Sequence, residues 1–226
     1  MKIFLLLFIT FYAGTSLSAQ NFDAVFKPLK KPKHTVSITK KKQRFYSLVL
    51  PPVNKVFLML MERYEYIQES LLNHTNMDEI KRLKAVYGAT SDKDLLMRLK
   101  PHPRSIALAQ AAMESSWGTS RFFHEANNIF GVWSTNAAQK RVAAGKKRGK
   151  RTIWLRKFDS LEDAVRQYYY MIATSKAYEE FRRLRYESDD VYKIVEGLVN
   201  YSEKKELYVC ELRSIIKHNN LTKYDH

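Results

Sequence analysis

Apolar residues recur at helical spacing through most of the chain from Phe45 onward. In "VNKVFLMLMERYEYIQESLL" the set Val56, Leu60, Tyr64, Ile67 and Leu71 forms one stripe, which predicts a long first helix after Pro51 and Pro52. "NMDEIKRLKAVYG" carries its own punctuation, with Asn76 as N-cap, Glu79 three positions on, and Gly88 as the stop. Ser91 with Asp94 opens a short helix that Pro101 ends. "PRSIALAQAAMESSWG" reads as a further helix, opened near Pro103 and closed at Gly118. Its alanines allow close approach of neighbouring helices, so a central position is expected. A short helix over "SRFFHEAN" follows.

The pattern then changes. "NIFGVWS" and "RTIWLRKF" are aromatic and β-branched, and the basic segment "NAAQKRVAAGKKRGK" separates them. They predict a β-hairpin with a long, mobile connection. Helices resume with Ser160 and Asp163 capping "LEDAVRQYYYMIAT", Ser188 before "DDVYKIVEGLV", and Ser202 before "EKKELYVCELRSIIKHN". Tyr168, Tyr169 and Tyr170 point three ways on their helix, so part of the triplet is core. No internal repeat is evident. The fold class is mainly α, with one small inserted β-hairpin.

Charge divides the chain differently. The net charge is +16, of which residues 20–44 and residues 140–151 each contribute +7, so the rest is close to neutral. Such runs favour polyanions through counterion release and steering, and serve equally well as solvated surface. The N-terminus reads as a secretory signal over residues 1–19: Lys2, the apolar run "IFLLLFITFYAG", then the small residues of "SLSAQ". The Lys-Pro pattern of residues 20–44 reads as a basic, flexible linker, which places the start of the folded domain near Phe45 and its extent at residues 45–226. An exported protein, periplasmic or secreted, meets membrane headgroups and cell-wall polymers; nucleic acid is not an expected partner. The lone Cys210 excludes an internal disulfide framework, and its apolar neighbours at helical spacing suggest a buried, inert thiol.

Candidate chemistry narrows to one stretch. "AQAAMESSWGTSRF" holds a single acid, Glu114, among small and apolar residues. Gln110 and Trp117 share its helix face at i−4 and i+3. A carboxyl beside an indole and small apolar side chains has its neutral form favoured, as a general acid requires. A helix-end Glu pointing into water fits the composition as well. The six histidines are scattered without metal-ligand spacing, "HEANN" lacks the second His of a zinc protease, and neither a nucleophile elbow nor a phosphate loop is present. No metal or organic cofactor is expected.

"LAQAAMESSWGTSRFFHEANNIFGVWS", residues 108–134, resembles the signature of bacterial glucosaminidases, the endo-β-N-acetylglucosaminidases of glycoside hydrolase family 73, and in particular the branch called Bax proteins. The likeness extends more weakly from "LPPVNKV" through "FDSLEDAVRQY" to "YSEKKELYV" and "LTKYD". It implies a lysozyme-like fold, with a helical lobe and a hairpin lobe flanking a glycan cleft, and peptidoglycan as the substrate. By the same resemblance Glu114 is the general acid, Tyr201 faces the cleft, and Asn128, Phe130 and Trp133 line it. Trp133 and Trp154 offer flat faces for sugar rings, or hairpin core.

One departure from the family pattern bears on mechanism. Many relatives are proposed to place a second carboxylate in the hairpin, yet no Asp or Glu occurs between Glu125 and Asp159. Asp159 fits a structural role before a helix cap, and the direction of Glu125 is not legible. Attack by the substrate's N-acetyl group, by a water positioned by Tyr201 or Asn128, or the water-free route of a lytic transglycosylase each fits. The N-acetyl-assisted hydrolysis is the route preferred on sequence. A catalytically weak peptidoglycan-binding protein is the alternative from a different class. The basic tail and loop suggest contact with anionic wall or membrane surfaces.

Overall fold

The computed structural model describes residues 37–148 and 151–226, with the side chains of residues 146–151 outside that description. The expected signal segment and the expected linker up to residue 36 lie outside the described residues. Helix α1 spans Ile38–Leu72, capped by the Ser37 hydroxyl, which accepts from the Lys40 amide at 3.2 Å. It therefore begins ahead of Phe45, and Pro51 and Pro52 lie within it instead of preceding it. An interior proline removes an amide donor and crowds the preceding turn, at a cost of roughly 3 kcal/mol. Two features offset this here. The residues whose carbonyls lose their partners, Ser47 and Leu48, face solvent, whereas Phe45, Val49, Val53 and Val56 form one continuous buried stripe across the prolines.

Helices α2 (Met77–Tyr87) and α3 (Asp92–Leu99) fold back on α1 over a small apolar cluster of Tyr64, Ile67, Ile80, Leu83, Leu95 and Leu99. Gly88 closes α2 at φ +65°, as its spacing predicts. Asn76 occupies the N-cap in a left-handed conformation without a side-chain capping bond; its amide donates instead to the Ser70 hydroxyl at 3.0 Å. Ser91 caps α3 as expected, accepting from the Asp94 amide at 3.0 Å.

Helix α4 (Arg104–Glu114) is the centre of the main core, buried at every position from Ser105 to Ala112. It contacts α1, α9 (Glu206–His218) and the 3₁₀ turn Leu221–Tyr224. Helix α4 ends at Glu114 and not at Gly118. The turn beyond it is tied down by Ser115, whose hydroxyl donates to the Ala111 carbonyl at 2.6 Å and accepts from the Gly118 amide at 2.9 Å. Helix α5 (Arg121–Ala126) follows, then α6 (Leu161–Thr174), α7 (Glu179–Glu187) and the short α8 (Val191–Ile194).

The hairpin differs in register from the expectation. Strand β1 (Arg141–Arg148) falls in the basic segment and pairs antiparallel with β2 (Arg151–Arg156), matching Arg141 with Arg156 and Val142 with Leu155. Pairing strands adjacent in sequence keeps the closing loop short, which lowers its entropic cost. Residues 132–134 still lie along β2: the Ser134 amide donates to the Trp154 carbonyl at 2.8 Å and the Arg156 amide to Val132 at 3.0 Å. The segment expected as the first strand is thus a short companion to β2, joined by a Trp133–Leu155 bridge.

Cys210 is exposed, not buried. Helix α9 buries Tyr208, Val209, Leu212 and Ile216, and Cys210 falls off that stripe.

Candidate active site

Glu114, the last residue of the central helix, borders a cavity of about 800 Å³ between the helical body and the hairpin. Phe130, Gly131, Val132, Trp133 and Ile153 line it from the hairpin side, and Met171, Tyr178 and residues 200–205 from the helical side. Burial raises the Glu114 pKa, while a hydrogen bond from Tyr208 and the charge of Lys204 pull the other way without cancelling it. Its place at a helix C-terminus, the negative end of the macrodipole, opposes ionisation further. Gly131 backs the carboxyl at φ +66°, a conformation that favours glycine, and a methyl group there would lie 3.5 Å from Glu114 Oε2.

Behind the acid runs a buried chain of polar groups. Tyr208 bonds the Glu114 carboxyl and accepts from Gln110 Nε2 at 2.9 Å. Tyr168 donates its only hydroxyl proton to Gln110 Oε1, so the contact of its oxygen with His102 Nε2 at 2.8 Å needs the proton on that ring nitrogen. His102 is then neutral, in keeping with burial that holds its pKa well below the ordinary histidine value, and its Nδ1 is left without a partner. Every donor in the chain from His102 through Tyr168, Gln110 and Tyr208 points toward Glu114. The relay orients the carboxyl and moderates its desolvation.

The residues expected at the site separate into two groups. Trp133 is 57% exposed and lines the cavity with Phe130 and Tyr201. Phe130 is almost wholly buried, stacked on Tyr168 at 3.9 Å, so it presents little more than an edge and its backbone. The Tyr201 hydroxyl donates to the Phe130 carbonyl at 3.2 Å, and its ring stacks on Tyr208 at 5.3 Å, bracing both cleft walls.

Asn128 and Trp154 do not line the cavity. Asn128 is buried, with its amide nitrogen on the Val132 and Arg156 carbonyls and its oxygen on the Val132 amide, so it locks the hairpin. Trp154 lies beneath the Arg141 guanidinium at 4.3 Å. Trp117 also leaves the Glu114 face: α4 has ended and Trp117 takes φ +60°, so its ring packs on Phe45 and Tyr46. Glu125 pairs with Arg121 at 3.0 Å and Asp159 with Lys140 at 2.7 Å, both at exposed positions away from the cavity lining. Tyr208, Tyr178 and Glu203 are the site residues that spacing did not reveal. Tyr208 sits within "YSEKKELYV", where its fall on the buried face of α9 was the available signal.

A helical body with a small antiparallel hairpin across a cleft, and one desolvated glutamate at the end of the central helix, give the chain a lysozyme-like architecture. The family model for glucosaminidases, described as mannosyl-glycoprotein endo-β-N-acetylglucosaminidase, matches residues 91–221, and the chain belongs to that family. It is 32% identical to Protein bax of Escherichia coli (strain K12) over 112 residues, which is 48% of this chain and 39% of that protein. The alignment thus spans less than half the length of that relative. The catalytic domain of the autolysin Auto from Listeria monocytogenes superposes with a TM-score of 0.50 at 18% identity, covering 95% of this chain and all of that domain. A peptidoglycan hydrolase from Sphingomonas sp. A1 matches with a TM-score of 0.46 at 23% identity over 62% of this chain and 92% of that one.

Proposed function

We propose that this chain is an exported peptidoglycan hydrolase that cleaves the glycan strand at N-acetylglucosamine, with Glu114 as general acid. The observation that carries the reading is the placement of Glu114: a carboxyl with a raised pKa, fixed by Tyr208, on an open cleft of about 800 Å³ with an exposed tryptophan on its rim. A carboxyl whose neutral form is favoured by burial can donate to the glycosidic oxygen as the bond to the anomeric carbon lengthens and the sugar gains oxocarbenium character. Trp133 offers a sugar ring an apolar face, and Tyr201 keeps the two walls in register. The basic hairpin tip and the basic tail fit contact with the anionic parts of the wall.

The test is digestion of purified sacculi by the mature protein and by Glu114→Gln. The reading expects soluble fragments from the first and at least a hundredfold fewer from the second, with both proteins still pelleting with sacculi. Pelleting without fragments from the unaltered protein would make it a binding module, and activity that survives Glu114→Gln would remove Glu114 from its role.

A further inference from the structure

The hairpin sequence has no acid, so it offers no carboxylate to activate an attacking water. The structure brings a second carboxylate to the cavity from another part of the chain. Among the described residues lining the cleft, Glu114 and Glu203 are the two acids. Glu203 comes from the turn between Tyr201 and α9, on the helical side of the cleft, and not from the hairpin.

Backbone hydrogen bonds close that turn. The Tyr201 amide donates to the Leu198 carbonyl at 2.9 Å and the Lys205 amide to the Ser202 carbonyl at 3.2 Å, which closes a tight loop around Glu203. Lys205 adopts φ 53° and ψ −122°, a costly conformation for a residue with a side chain, and such strain persists where surrounding contacts impose it. At the surface of the turn Lys205 Nζ donates to Asn200 Oδ1 at 2.9 Å, and Lys204 Nζ pairs with Glu211 at 2.8 Å. Tyr201, at the start of the turn, ties it to the cleft wall through Phe130.

We propose that Glu203 is the general base that activates the attacking water. This rests on the hydrolase reading above. Glu114 gives its proton to the glycosidic oxygen, and the bond between that oxygen and the anomeric carbon breaks with its electron pair left on the oxygen. A water oxygen bonds to the anomeric carbon while one of its protons passes to the Glu203 carboxylate. The products are one new reducing end and one new hydroxyl; Glu114 is left ionised and Glu203 protonated, and exchange with solvent resets both. Direct attack by water inverts the anomeric configuration, whereas N-acetyl assistance retains it, so a β-linkage yields an α-anomer first.

The experiment follows the fresh reducing end by proton NMR on soluble glycan strands, with the unaltered protein, Glu203→Gln and Glu203→Ala, the last with and without sodium azide. The proposal expects initial α-anomer and a loss of roughly 10²- to 10⁴-fold in turnover for both variants. Azide should restore activity to Glu203→Ala by forming an α-glycosyl azide, a product that a structural role cannot generate. Initial β-anomer, variants within a few-fold of normal, or loss without azide rescue would each overturn it. Absence of any new reducing N-acetylglucosamine from the unaltered protein would instead bring down the underlying hydrolase reading.

Discussion

Replacing Tyr208 with phenylalanine removes one oxygen and perturbs two partners. The Glu114 carboxyl loses its hydrogen bond, and Gln110 Nε2, on a residue with no solvent exposure, loses its acceptor at 2.9 Å. A bond to an ionised group contributes roughly 1.5–3 kcal/mol, and a buried donor left unpaired costs roughly 1–3 kcal/mol. Together these give an expected destabilisation of roughly 2.5–6 kcal/mol once Glu114 is ionised. The pH dependence follows in sign. Burial already raises the Glu114 pKa above its unfolded value, so its contribution to stability is fully present below the unfolded pKa and is lost as pH rises through the folded one. The Tyr208 bond lowers that pKa, so its removal raises the pKa further and steepens the loss. Denaturant titration at acid and neutral pH should show Tyr208→Phe closer to the unaltered protein in acid. The alkaline limb of kcat/KM, which reports the acid that must stay protonated, should move to higher pH. An unchanged pH–rate profile together with unchanged stability would refute the relay.

Three further outcomes are expected. Gly197→Ala places a methyl 2.4 Å from the Phe181 Cα and 2.6 Å from its nitrogen, backbone atoms that cannot swing away, so calorimetry should show a loss of about 3 kcal/mol, or ~6–12 °C in Tm. Cys210 is exposed on α9, so a thiol reagent should label the folded protein to completion without loss of glycan cleavage; labelling only after denaturation would contradict the placement of that helix. Replacing Lys146, Lys147 and Arg148 with glutamine should weaken pelleting with sacculi at low salt, and the difference should vanish as salt rises; unchanged binding across the salt series would rule out an electrostatic role for the hairpin tip.

The helical body was legible where local chemistry decides. Ser91 and Ser160 cap as their spacing to Asp94 and Asp163 implies, and Gly88 stops its helix because φ +65° suits glycine. Misreadings arose where distant packing overrides local preference. Pro51 and Pro52 read as a boundary, yet a stripe buried against the core carries α1 through them. The basic run of β1 read as a loop because its pairing with β2 supplies an order that its composition does not. Glu114 stood out as a lone acid among apolar neighbours and in a long family motif, and it borders the cleft, although the Trp117 indole expected beside it packs on Phe45 and Tyr46 instead. Asn128 was assigned to the cleft by the same motif, but its amide is occupied by the hairpin backbone. Tyr208 and Glu203 reach the site through tertiary folding from α9 and the turn before it, a placement that no spacing around Glu114 encodes.

The central claim is that Glu114 drives hydrolysis of the glycan bond. Digestion of sacculi in ¹⁸O-labelled water, with mass spectrometry of the released fragments, tests it most directly. The account predicts reducing N-acetylglucosamine ends carrying one heavy oxygen from the unaltered protein, and at least a hundredfold fewer from Glu114→Gln. Anhydro-muramyl ends without heavy oxygen, or labelled ends at full rate from Glu114→Gln, would contradict it.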